Sequence, residues 1–163
     1  MISPGSVMAR LLNSLPQTGT VVWIGVRPAR RAELVPLAAV RAETESGLEG
    51  DHYQGKLTGK RQVTLINAEH LVAIASMLGW PEVSPLLLRR NIVVKGINLL
   101  ALKNQAFRIG EAILETTGEC HPCSRMEENL GPGGYNAVRG HGGITARVVA
   151  AGMIRVGDQI KAE

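Results

Sequence analysis

Thr20-Val21-Val22-Trp23-Ile24-Gly25-Val26, closed by Arg27-Pro28, is the stretch whose reading sets the fold class. Its β-branched and aromatic side chains suit a pleated, half-buried surface, and a proline cannot donate to a ladder that would continue it, so the run is a strand. Residues 37–42, after Pro36, read as a second short strand, and the two are expected to form a hairpin. Working outward, residues 62–66, 107–110 and 112–117 give further short strands, as do 89–94, entered by the cations Arg89 and Arg90. Residues 144–150 and 153–156 are expected to end the chain as a last hairpin turning at Ala151-Gly152.

Only one long helix stands out. Asn67 is placed to cap it, Glu69 puts negative charge in its first turn, and Leu71, Ile74, Ala75 and Leu78 recur at i, i+3, i+4 and i+7 until Gly79 ends it. His70 lies one position before that stripe and reads as a partly exposed helix residue, while residues 124–130 suggest a second, short helix. Residues 46–55, with three glycines, read as a long loop. Strands at short intervals with one or two short-to-medium helices predict a mainly β domain built as a barrel.

At 163 residues, with 45% hydrophobic and 20% charged residues, the chain fits one domain with a real core. The net charge of +4 is modest, and 13 of the 18 basic residues are arginines, the side chain suited to bidentate contact with carboxylate or phosphate. An anionic ligand is therefore expected and nucleic acid is not, because one Phe, two Tyr and two Trp offer few stacking platforms. No apolar run reaches the ~20 residues of a membrane span and residues 1–20 do not form a secretory signal, so a cytoplasmic protein without membrane association is expected. In that reducing setting two cysteines are kept for reactivity or metal rather than a structural bridge.

Both cysteines fall in Gly118-Glu119-Cys120-His121-Pro122-Cys123-Ser124-Arg125-Met126-Glu127. Nearby positive charge favours the thiolate, and Arg125 is a candidate to supply it. The Cys120-x-x-Cys123 spacing alone admits a thiol–disulfide couple, half of a zinc site completed by histidines or carboxylates, or one functional thiolate with an incidental neighbour. Immediately downstream, residues 131–147 hold six glycines with Arg139, His141 and Arg147, a composition that can aim backbone N–H groups at an anion or simply make tight turns. It is not a Walker loop, since no Gly-Lys-Ser/Thr occurs.

Five markers in order, Gly47-Leu48-Glu49-Gly50-Asp51-His52, Arg90-Asn91-Ile92-Val93, Gly110-Glu111-Ala112-Ile113-Leu114-Glu115, Pro122-Cys123 and Gly157-Asp158, resemble the MOSC family. This is the domain found at the C-terminal end of molybdenum cofactor sulfurases and as stand-alone bacterial proteins. The resemblance covers about residues 42–160, so the chain, 1–163, is expected to be a single MOSC domain. It implies a mostly β barrel and a molybdenum cofactor, a pyranopterin (molybdopterin) whose dithiolene binds the metal. The cysteine after the proline, Cys123, is on this resemblance the protein ligand of molybdenum. Asp51 is a second candidate catalytic residue. Arg139, Arg147, His141, Gly142 and Gly143 are candidates to hold the cofactor's phosphate, with Asn91 and Arg125 as further cofactor contacts.

The activity implied is an oxidoreductase that reduces N-hydroxylated or related N-oxygenated small molecules, fed by an external electron-donor protein, with a homodimer as a candidate assembly. Two alternatives stand beside it: a sulfur carrier bearing a persulfide on Cys123 or Cys120, and a non-catalytic carrier of the molybdenum cofactor. The pyridoxal phosphate step of full-length sulfurases belongs, on the same resemblance, to a separate large domain outside the matching stretch. Cofactor acquisition depends on the host's biosynthesis, so purified protein is expected to lack it in some preparations.

Overall fold

A computed structural model describes residues 1–53 and 59–163 of the chain. A short helix α1 (Val7–Leu12) precedes β1 (Gly19–Val26), β2 (Val35–Leu37), β3 (Ala39–Glu43) and β4 (Gly47–Leu48). Next come β5 (Val63–Asn67), α2 (Ala68–Leu78), α3 (Pro85–Leu88) and β6 (Ile92–Lys95), then a 3-10 turn at Leu99–Leu102, β7 (Ala106–Ile109) and β8 (Ala112–Glu119). After the cysteines lie α4 (Ser124–Leu130) and α5 (Gly134–Val138), and β9 (Ile144–Ala150), β10 (Gly152–Arg155) and β11 (Gln159–Ala162) finish the chain. No helix among the described residues is long and apolar enough to cross a membrane.

Seven strands close into a barrel in the order β1-β6-β5-β9-β8-β7-β11, with β11 returning to β1 at Gly19 and Thr20. β2 pairs with the far end of β1, beyond the reach of β11, and β10, β3 and β4 form a separate small sheet. All neighbours in the barrel are antiparallel except β5 and β6. Parallel strands need a crossover, and α2 with α3 supplies it. Period-two alternation then divides the side chains between two cores. Leu65 and Ile92 point inward with Val21, Phe107, Leu114 and Ile160, whereas Ile66 and Val93 point outward and pack against Ile74, Leu88, Met126 and Val138 of the helices.

Several local expectations hold. α2 has its ends at Ala68 and Leu78, with Gly79 in the left-handed conformation (φ 70°), and α4 spans residues 124–130. Asn67 occupies the capping position of α2 but its side chain makes no capping bond; its Nδ2 donates to the Ile97 carbonyl at 2.6 Å and its Oδ1 accepts from Leu99 N at 3.2 Å. The tertiary tie to the 3-10 turn outcompetes the local cap.

Two hairpin expectations need correction. β1 does pair with β2, but the second strand splits at Ala38, and β3 leaves to pair with β10 and β4. β9 and β10 do not form the terminal hairpin: β9 pairs with β5 and β8, and β10 with β3. A Cβ on Gly152 would lie 2.5 Å from the Glu111 backbone, so glycine is what lets the chain cross the start of β8 and change sheets. A further strand, β11, closes the barrel, and Gly157-Asp158 forms the turn before it, with the Asp158 carboxylate accepting from Arg155 N at 2.7 Å. The expected loop at residues 46–55 contains the two-residue β4, and its end, Gln54 and Gly55, lies outside the described residues.

Candidate cofactor site

On the outer face of the barrel, where β1 ends and β5 and β6 begin, is a cavity of about 170 Å³. Thr64 and Asn91 form its floor, because their neighbours Val63, Leu65 and Ile92 point into the barrel. Four arginines line it: Arg27 just past β1, Arg61 just before β5, and Arg89 and Arg90 just before β6. Both cysteines complete the wall, carried across from the end of β8. Asp51, His52 and Tyr53 approach from the loop after β4.

Cys123 is exposed on the rim at the residue that precedes α4, and Cys120 is buried, 2% exposed. Arg61 Nη2 stands 3.8 Å from Cys120 Sγ. Cys123 lines the same cavity as Arg89 and Arg90. The cation expected beside the thiol, Arg125, instead pairs with Glu128 at 3.2 Å and lines a neighbouring cavity.

Arg90 is structural. Its buried guanidinium donates from Nε to Gly142 O (2.8 Å), from Nη1 to Leu88 O (2.8 Å) and from Nη2 to Cys120 O (3.4 Å), tying the end of α3, the cysteine loop and the glycine loop together. Arg89 is different in kind. It caps α3 in the left-handed conformation (φ 59°, ψ 32°), which costs a residue with a Cβ roughly 1 kcal/mol. Burial and the charges of Arg27 and Arg125 pull its pKa down from the ordinary guanidinium value. Arg27 Nε is buried without any hydrogen-bond partner, and among the described residues none of Arg27, Arg61, Arg89 and Arg90 is ion-paired to a carboxylate. Arg61 is exposed, Arg27 and Arg89 half-buried and Arg90 buried, and four cations gathered without a paired carboxylate make an electrostatic setting that suits an anion.

Of the remaining expected site residues, Asp51 accepts from Arg27 N at 2.8 Å through Oδ1, and His52 N donates to Arg27 O at 2.6 Å, so this loop fixes the backbone that carries Arg27. Asn91 lines the cavity, but its amide is engaged: Oδ1 accepts from Thr64 N and Oγ1, both at 3.1 Å, and Nδ2 donates to Gly25 O at 3.1 Å. Arg139, Arg147, His141, Gly142 and Gly143 do not line this cavity. Arg147 is on β9 in an ion pair with Glu115 (3.0 Å), and Arg139 bonds Asn136 (3.2 Å) on the surface. Gly142 and Gly143 serve packing: a Cβ on either would lie 2.1 Å from Cys120 O or 1.8 Å from Leu65 O, respectively. They also line a third cavity, behind Cys120, with His70 and His121; Cys120 is the one described residue common to both chambers.

The ring of His70, in that lining, meets the ring of His141 edge to face, 5.1 Å between centroids, and burial followed by the charge of His141 lowers the His70 pKa from its ordinary value. Among the described residues no three His, Cys, Asp or Glu side chains are grouped to hold a metal ion, so a closed zinc site has no ligand set there. A single thiolate ligand needs no such group. Arg27 and Arg61 escape sequence reading as site residues, and Arg89 and Arg90 are read only as cations entering a strand, because the four come from three segments with no common motif. The signal that remains is positional: Arg27, Arg61 and Arg90 stand at strand ends beside Pro28, Gln62 and Asn91.

Comparison with known proteins agrees with this architecture. No curated protein matches. Among solved structures, the YUAD protein from Bacillus subtilis superposes with a TM-score of 0.78 at 20% identity, over 90% of this chain and 96% of that one. YiiM from Geobacillus stearothermophilus gives 0.70 at 18% identity over 89% and 75%, and YiiM from Escherichia coli 0.67 at 17% over 88% and 69%. At such identities the likeness speaks for the fold. The family model described as MOSC domain matches residues 46–161, most of the chain, and the protein therefore belongs to the MOSC domain family.

Proposed function

We propose that this chain is a molybdenum-cofactor-dependent oxidoreductase that removes oxygen from N-hydroxylated or related N-oxygenated compounds, with Cys123 as the protein ligand of the metal. The observation that carries the reading is the pairing of an exposed thiol on the rim with a cavity of unpaired arginines, one of which, Arg27, has a buried Nε without a partner. A soft sulfur donor and a set of oxyanion donors are what a pyranopterin phosphate with a dithiolene-bound metal requires, so the residues present fit the group. When bound, the cofactor would supply two-electron oxygen-atom chemistry that no side chain here can perform.

The protein's own part is binding and orientation. Arg27, Arg61 and Arg89, rather than Arg139 and Arg147, would hold the phosphate. Asp51 and His52 keep Arg27 in place through its backbone, and Arg90 fixes the loop that presents Cys123. Electrons would come from an external donor protein. A second reading, a persulfide carrier, draws on the same exposure of Cys123 beside guanidiniums.

The test is the molybdenum content of the chain produced in a cofactor-making host. Cys123→Ser should reduce it at least tenfold while Cys120→Ser retains it, and the loaded protein should reduce a hydroxylamine with a chemical donor. Equal metal in all three proteins would refute the assignment. Cyanide-releasable sulfur on the metal-free chain, lost in Cys123→Ser, would select the carrier.

A further inference from the structure

Beside the arginine cavity, and sharing Leu34 and Arg89 with it, lies another of about 280 Å³. Its walls come from the segment 31–34 after β1, from the end of α3 and from α4, and Asn129 Nδ2 donates to Leu87 O at 2.8 Å to hold the two helices together. The composition is two-sided. Leu34, Leu86 and Leu87 give an aliphatic surface, while Arg31, Arg89 and Arg125 stand around it, Arg125 in its pair with Glu128, and Glu33 is the one carboxylate in the described lining. Three described residues other than glycine have positive φ, and two of them, Arg31 (φ 64°) and Arg89 (φ 59°), are in this lining. Residues held in that region by their surroundings cluster at ligand clamps.

We propose that this second cavity is a substrate subsite that takes a carboxylate carried on an apolar body of one or two rings. The inference rests on the reading of Cys123 given above, since Arg89 links the two cavities and would turn the far end of such a molecule toward the thiol. A planar carboxylate matches a guanidinium fork with two parallel N–H···O bonds and leaves its apolar remainder to cover the leucines. A phosphate has no apolar remainder to offer that surface, and the neighbouring cavity holds the more deeply placed cations.

The test uses the purified full chain without added molybdenum, titrated with 2-naphthoate, 2-naphthamide and inorganic phosphate by calorimetry. Naphthoate should bind at least tenfold more tightly than the amide. That preference should vanish in an Arg31→Gly, Arg125→Gln variant and persist in Arg108→Ala, which alters a surface pair elsewhere. Equal binding of acid and amide, or a preference unchanged in the double variant, overturns the proposal, as does displacement of naphthoate by equimolar phosphate. Because none of these readouts needs metal, a retained acid preference together with equal molybdenum in Cys123→Ser would sink the molybdenum reading and leave the subsite standing. In loaded enzyme, the double variant should raise KM for a carboxylated hydroxylamine and leave KM for a neutral one unchanged.

Discussion

Adjacent residues of β5 and β6 face two environments built on opposite terms. Leu65 and Ile92 enter a barrel interior where Phe107, Leu114 and Ile160 are fully buried and the described residues clustered with them are all apolar, while Thr64 and Asn91 look outward onto four arginines and two thiols. Three arginines elsewhere on the strands are paired: Arg147 with Glu115, Arg108 with Glu163, Arg155 with Glu111. In the flank cavity Arg27 repels Arg89 and Arg61 repels Arg90, with no such partners among the described residues, and Arg89 also bears backbone strain. The interior is arranged for stability. The flank gathers like charges that a bound anion would relieve, a requirement the core does not have.

The strongest way to break this contrast is at the seam between the two regions. Gly143→Ala places a Cβ 1.8 Å from Leu65 O at a φ of 85°, so barrel and glycine loop cannot both keep their places; loss of folded protein, or at least ~4 kcal/mol in urea unfolding, is expected. Arg90→Met comes next. It leaves the carbonyls of Leu88, Cys120 and Gly142 without their donor, and chemical denaturation should register a loss of about 3 kcal/mol, far more than a cation on the surface would give. The smallest effect sharpens the contrast most. Arg27→Gln should leave stability within about 1 kcal/mol of the parent while lowering retained cofactor, whereas Arg147→Ala, a half-exposed pair, should change neither by more than about 0.5 kcal/mol or a measurable fraction of metal.

Much of the barrel was legible from local pattern, because α2, α4 and most strands obey periodicities that the chain declares within ten residues. What stayed hidden is non-local. Nothing near Gly152 announces that β10 must cross Glu111 to reach β3, and β11 is too short and too polar, Gln-Ile-Lys-Ala, to stand out. The same holds for the site. Cys123 could be singled out from a ten-residue window, but Arg27, Arg61 and Arg89 are brought together by the order of strands, and the glycines of residues 142–143 proved to be spacers that let Cys120 approach the sheet. A composition that suggests an anion loop and one that suggests close packing are the same in sequence; only the neighbours at 2 Å tell them apart.

The buried sulfur of Cys120 has a consequence that concerns traffic rather than chemistry. As the sole described side chain bordering both the arginine chamber and the one beside His70, it is a partition a single residue thick. Its bulk keeps the two chambers apart on this side, so that a guest in the first reaches solvent on the other, where Cys123 and the second cavity lie.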